Sequence, residues 1–227
     1  MRSLPSRVHG RPGEPECLSG SPVGESPIRA WVAEQGQAPV QTDESRWTAK
    51  RLLLIPCCLA ILLQLAVLSP HWRFQRDSPV YLSGARSLIE GRGYQYNRAP
   101  LTRYAPGLPL ILAATGNLTG MPETLHDSFL CLNGTIALLG VGCVILTFVI
   151  VREVGASLWI AFMAALFLSV SRTLIYYSTQ LITDVPFTFF ALLALWFGLK
   201  MVRSSGARSW AWCAACAMTI VWASAIR

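Results

Sequence analysis

The 227 residues are 53% hydrophobic and only 14% charged, against roughly 25% charge in an ordinary soluble domain, so a soluble globular enzyme is excluded from the outset. The net charge of +7 does not point to nucleic acid, because most Lys and Arg lie beside apolar segments rather than on one basic face. Seven cysteines do not form a disulfide framework: Cys57, Cys58, Cys131, Cys143, Cys213 and Cys216 all lie in apolar runs and Cys17 lies in a polar one. What remains is an all-α, polytopic membrane protein.

Residues 1–48 are polar, rich in Pro, Gly, Ser and Glu, and contain no signal-peptide core. They read as a disordered cytoplasmic tail with too little apolar surface to offset the entropy of ordering it. From residue 49 on, five segments are free of charge over a length near that of a span: Leu52–Ser69, Ser128–Val151, Val154–Ser171, Val185–Leu199 and Ser209–Ile226. The fourth reaches Val202 if Lys200 snorkels to the interface. Arg46, Lys50 and Arg51 precede the first span, and Lys200, Arg203 and Arg208 separate the fourth from the fifth. Both basic groups fall on one side if the N-terminus is cytoplasmic, as in a multi-pass protein of the plasma (inner) membrane.

The first extracytoplasmic loop, 70–127, holds six Arg (73, 76, 86, 92, 98 and 103) against the usual charge rule. Anion binding is one reason for them, and contact with anionic lipid headgroups is another. Asp77-Ser78-Pro79 is a helix start, with Asp or Ser able to cap and Pro suited to the first turn. Val80, Tyr81, Ala85, Leu88 and Ile89 recur at helical spacing, Ser83, Arg86, Ser87 and Glu90 take the other face, and Gly91 and Gly93 end the helix. Ala105–Leu118 is apolar, short and broken by Pro and Gly, which suits an interfacial or re-entrant piece. Two spans separate this loop from loop 172–184, so Asp77 and Asp184 lie on the same membrane face whichever way the chain is inserted. Glu90, Glu123 and Asp127 read as solvated charges, and His71 and His126 lack a third ligand at metal-binding spacing.

Asp77, Tyr81, Ala85, Leu88, Gly91, Gly93 and Tyr94 spell D-x3-Y-x3-A-x2-L-x2-G-x-G-Y, and Tyr104-Ala-Pro-Gly-Leu-Pro-Leu follows. This resembles the first extracytoplasmic loop of the GT-C glycosyltransferases related to protein O-mannosyltransferases and to the aminoarabinose transferase of lipid A. Thr183-Asp184-Val-Pro-Phe resembles that family's second acidic site. The resemblance covers about residues 50–227, as the N-terminal part of such an enzyme.

It implies inverting transfer of a sugar from a polyprenyl-phosphate donor to a lipid, glycan or protein acceptor, with Asp77 as catalytic base and Asp184 as a second catalytic acid residue. Tyr81, Arg98, Arg103 and Tyr104 are the candidate substrate-binding residues, with Arg98 and Arg103 expected to stabilise the leaving lipid phosphate. Family members usually have many more spans, so the 227 residues alone are expected to be inactive. There is no nucleotide-binding glycine loop. The sequence specifies no cofactor and leaves a divalent metal open. The alternative is a non-catalytic polytopic protein, such as a transporter half or an assembly subunit. The uncharged spans and the acids gathered at one surface favour interfacial chemistry instead.

Overall fold

The computed structural model describes residues 43–71, 73, 75–122 and 129–227, with side chains from Thr48 onward. The expectations for residues 1–42, and for Glu123, His126 and Asp127, fall outside them. The first helix, α1 (Asp43–Val67), starts inside what the sequence suggested was tail. Three further helices are long and apolar enough to cross a membrane: α4 (Leu130–Glu153), α7 (Asp184–Arg203) and α8 (Ala207–Ile226). At 1.5 Å per residue the 24 residues of α4 extend about 36 Å, enough for a hydrocarbon core of about 30 Å. Large apolar side chains face outward along these rods, as expected where lipid replaces water. Leu62 is 64% and Met218 73% exposed.

The third predicted span, Val154–Ser171, is corrected by the structure. Gly155, at a φ of 95° that favours glycine, breaks the chain after α4, and the Ser157 hydroxyl caps the next helix by accepting from the Ile160 amide. Helix α5 (Leu158–Ser169) has 12 residues and is too short to cross alone. Ser171 is extended and caps α6 (Arg172–Ser178), and the two helices meet at 55°. Together they are long and apolar enough for a fifth span, broken in the middle, or for a re-entrant loop. The sequence hid this break because Val170 and Ser171 continue the apolar run, while the turn is set by the two serine caps.

The cytoplasmic-side ends predicted for α4 and α7 are tied by charge. Glu153 accepts from Lys200, and its other carboxylate oxygen lies 3.1 Å from Arg203. Lys200 therefore reaches a carboxylate rather than snorkelling alone. Glycines set how closely the rods approach. A Cβ on Gly142 would stand 2.5 Å from the Phe189 ring of α7.

Between the first two spans lie the pieces that carry the polar chemistry. Helix α2 (Ser78–Ile89) has Pro79 in its first turn and stops at Gly91, whose φ is 71°. A two-stranded hairpin follows, β1 (Gln95–Tyr96) and β2 (Ala99–Pro100), turned by Asn97 and Arg98 at φ 51° and 64°. Helix α3 (Gly107–Thr119) is a short apolar helix where an interfacial or re-entrant piece was expected at 105–118. Helix α2 packs on both α3 and β1, so its buried set differs from a simple amphipathic stripe: Ser78 and Ser87 are buried, whereas Ile89 is 38% exposed.

Candidate active site

The loop after α1 is stitched to the loop before α7 by side chains distant in sequence. Arg73 Nη1 donates to Thr179 Oγ1 (3.0 Å), Gln75 Nε2 to Gln180 Oε1 (2.7 Å), and Ser78 Oγ to the Leu181 carbonyl (3.0 Å). Arg73 Nη2 also donates to the Val67 carbonyl at the end of α1 (2.8 Å). Asp77 lies between Gln75 and Ser78, and Asp184 lies three residues after Leu181. The stitches therefore fix the two acids on one face, as the span count required. Ser78, Thr179 and Gln180 are at most 2% exposed, and bonds so buried are costly to leave unmade. Ser78→Ala strands the Leu181 carbonyl. It is expected to lower stability by about 1–3 kcal/mol, read as a fall in thermal midpoint of the detergent-purified protein.

Asp77 occupies the N-cap position of α2 without capping it, since its side chain makes no bond to the helix amides. Its Oδ1 instead accepts from the Tyr104 hydroxyl at 3.1 Å. Tyr104 meets Tyr81 edge-to-face, with ring centroids 5.6 Å apart. The Tyr81 ring is buried, and burial pushes its phenol up from the usual tyrosine value. Thr183 opposes that shift as a hydrogen-bond partner, while the nearby Asp77, Tyr104 and Asp184 add to it. One hydroxyl thus feels both carboxylates, so the fold brings Asp77, Asp184, Tyr81 and Tyr104 together. The phenol of Tyr81 stays protonated at neutral pH and remains a donor. Tyr94 flanks the group, its hydroxyl donating to the Ala105 carbonyl (3.2 Å) and its phenol pushed up to about 12 by burial. Asp184 is not a cap either: Thr183 holds that position, and Asp184 is exposed in the first turn of α7.

The arginines part company. Arg103 is exposed next to Tyr104. Arg98 is carried by the hairpin to a cavity shared with Ser83 and Arg86, which lie roughly opposite Tyr81 around α2. It therefore does not join Asp77, contrary to the sequence expectation of a shared phosphate contact. A residue that sequence reasoning missed arrives from α8. The Arg227 guanidinium lies 5.1 Å from the centre of the Phe187 ring, one turn into α7 from Asp184. Ala225 and Ile226 meanwhile abut Gly107, three residues after Tyr104. No local motif signals this, because it depends on how α8 packs against α3. Asn133, a sequon asparagine, is 2% exposed and donates to the Ser69 carbonyl (3.1 Å), a structural role. Among the described residues no three His, Cys, Asp or Glu side chains converge as a metal set.

Residues 123–226 match the family model for dolichyl-phosphate-mannose-protein mannosyltransferase, a stretch that includes Asp184 but not Asp77. The chain also superposes on a solved structure, the S. cerevisiae protein O-mannosyltransferase Pmt1-Pmt2 complex bound to the sugar donor. The TM-score is 0.70 at 20% identity, over 86% of this chain. This chain resembles a GT-C type protein O-mannosyltransferase. It spans 27% of the length of the yeast chain. No curated protein matches it. The likeness agrees with the all-α, multi-span architecture expected from the sequence.

Proposed function

We propose that this chain forms part of a membrane glycosyltransferase that moves mannose from a dolichyl-phosphate donor to a protein hydroxyl at the extracytoplasmic face, with inversion. One observation carries the reading. Asp77 sits where a helix cap would, yet its carboxylate is held by Tyr104 beside Tyr81, with Asp184 acting on the same phenol. A carboxylate released from capping and oriented by a phenol suits a general base.

In the proposed step, Asp77 takes the proton of the acceptor hydroxyl as its oxygen attacks the anomeric carbon. The carbon–oxygen bond to phosphate breaks, and its electron pair leaves with the lipid phosphate. Charge grows on that phosphate, and guanidinium groups stabilise it best. Arg103, next to Tyr104, and Arg227, over the Phe187 ring, are the candidates for that role. Asp184 would orient the acceptor or sugar hydroxyls. The N-terminus is then cytoplasmic, with Lys50 and Arg51 at one end of α1 and the acids beyond the other.

The test is transfer of labelled mannose from dolichyl-phosphate mannose to a Ser/Thr peptide by membranes containing the whole enzyme of which this chain forms part. Transfer indifferent to Asp77 overturns the proposal. Within the same assay, Tyr104→Phe keeps the ring that packs on Tyr81 but removes the bond to Asp77. A hydrogen bond to a charged group contributes about 1.5–3 kcal/mol, so kcat is expected to fall by about tenfold or more with little change in KM.

A further inference from the structure

On the side of α2 away from Tyr81 lies a second polar cavity, of about 220 Å³. That is several times the ~30 Å³ share of one water, so it admits a polyatomic group. Three guanidinium groups line it, those of Arg86, Arg92 and Arg98, together with the hydroxyls of Ser83 and Ser87. Among the described residues Glu90 is paired with Arg92. Arg86 is fixed from behind by donating to the Pro122 carbonyl. Arg98 makes no hydrogen bond or ion pair among the described residues. Ser87 is 5% exposed, and its hydroxyl also has no partner among them.

The backbone is shaped to hold this arrangement. Asn97 and Arg98 both adopt positive φ, at 51° and 64°, which turns the hairpin tightly and brings Arg98 back over α2. A non-glycine residue at positive φ is uncommon and is worth a functional explanation. Arg98 thus brings a charge with no partner among the described residues beside the Ser87 hydroxyl, and an anion bound between them would satisfy both.

We infer that this cavity is a phosphate-binding site, separate from the Asp77 pocket, for the phosphate ester of an anionic lipid headgroup. The chemistry is that of phosphate oxygens on convergent guanidinium forks and serine hydroxyls. The position favours a lipid source, because the loop sits between two spans at the membrane surface. An inner-site phosphate would leave with each turnover. One bound here would anchor α2, and with it Asp77, at a fixed height.

The experiment uses the whole chain in nanodiscs of phosphatidylcholine with or without phosphatidylglycerol. Lipid retained after extraction is counted by native mass spectrometry, with inorganic phosphate as a competing probe. The expected result is selective retention of phosphatidylglycerol, reduced about tenfold or more in Arg98→Gln and again in Arg92→Gln/Arg98→Gln. Arg98 has no intramolecular partner, so its substitution should leave the thermal midpoint unchanged without anionic lipid. Protection of Arg98 from phenylglyoxal by phosphatidylglycerol in the unsubstituted protein gives a second readout free of folding effects. Protection by inorganic phosphate but not by phosphatidylglycerol would keep the site and overturn the lipid source. Equal retention by the variants, with no protection by either probe, would overturn the site.

Discussion

Asp77→Asn is expected to lower mannose transfer by about 10²–10⁴-fold, the usual range for losing a general base, with normal protein in the membrane. Asparagine keeps the shape of the side chain and still accepts the Tyr104 hydroxyl bond seen at 3.1 Å, so packing around Tyr81 is retained. What it removes is the ability to take a proton. Because the Asp77 side chain does not cap α2, helix stability should be nearly unaffected. This separates the base from the bland alternative. If Asp77 served only as a cap, asparagine, an equally good N-cap, would leave both stability and transfer unchanged. Measuring kcat, KM and thermal midpoint on the same preparation distinguishes the two. Full transfer by the Asn variant would end the catalytic assignment. Asp184→Asn, at an exposed first-turn position, is expected to act more on KM.

Gly107→Ala is the second large effect, and it works through packing. In a helix, alanine is favoured over glycine by about 1 kcal/mol, so propensity alone predicts a gain. The site reverses the sign. A Cβ at Gly107 would stand 2.6 Å from the Ala225 carbonyl oxygen and 2.7 Å from the Ile226 side chain. The first obstacle is backbone, which cannot rotate aside, so α3 and α8 must part. Overpacking of this kind costs about 1–3 kcal/mol, which exceeds the propensity gain. For a chain of this size each kcal/mol moves the thermal midpoint by about 2–4 °C, so a fall of several degrees is expected. Parting these helices also shifts Tyr104, three residues upstream, relative to Asp77. Transfer should therefore drop by more than the lost folded protein explains. Gly134→Ala is the control, since its Cβ meets nothing within 4 Å and the substitution should be neutral or mildly stabilising. Equal midpoints for the two variants would show that the α3–α8 contact is not tight.

Much of the architecture was legible because hydropathy and turn chemistry are local. A run without charge must cross or be buried, so α4, α7 and α8 could be placed to within a few residues, whereas α1 starts nine residues before its apolar run. Pro79 and Gly91 bounded α2 because one fits a first turn and the other a positive φ. The shared face of Asp77 and Asp184 followed from counting spans. The stitches from Arg73, Gln75 and Ser78 to residues 179–181 now supply its physical form.

The partners of each polar group were decided by the tertiary structure alone. The 55° break between α5 and α6 turns on serine caps inside an apolar run, which hydropathy averages away. Whether Asp77 capped a helix or faced a phenol depended on where Tyr104, 27 residues later, came to rest. Arg98 and Arg103 look alike in the sequence, yet the hairpin turn sends Arg98 to the far side of α2. Arg227 reaches the Phe187 ring at the start of α7 from the far end of α8, which itself ends against α3. The sequence by itself determined that this is a multi-span helical protein whose polar chemistry sits in one surface loop. Only the packed structure decided which side chains share a pocket, because hydrogen bonds and close contacts select partners by position in space, and no local pattern encodes that position.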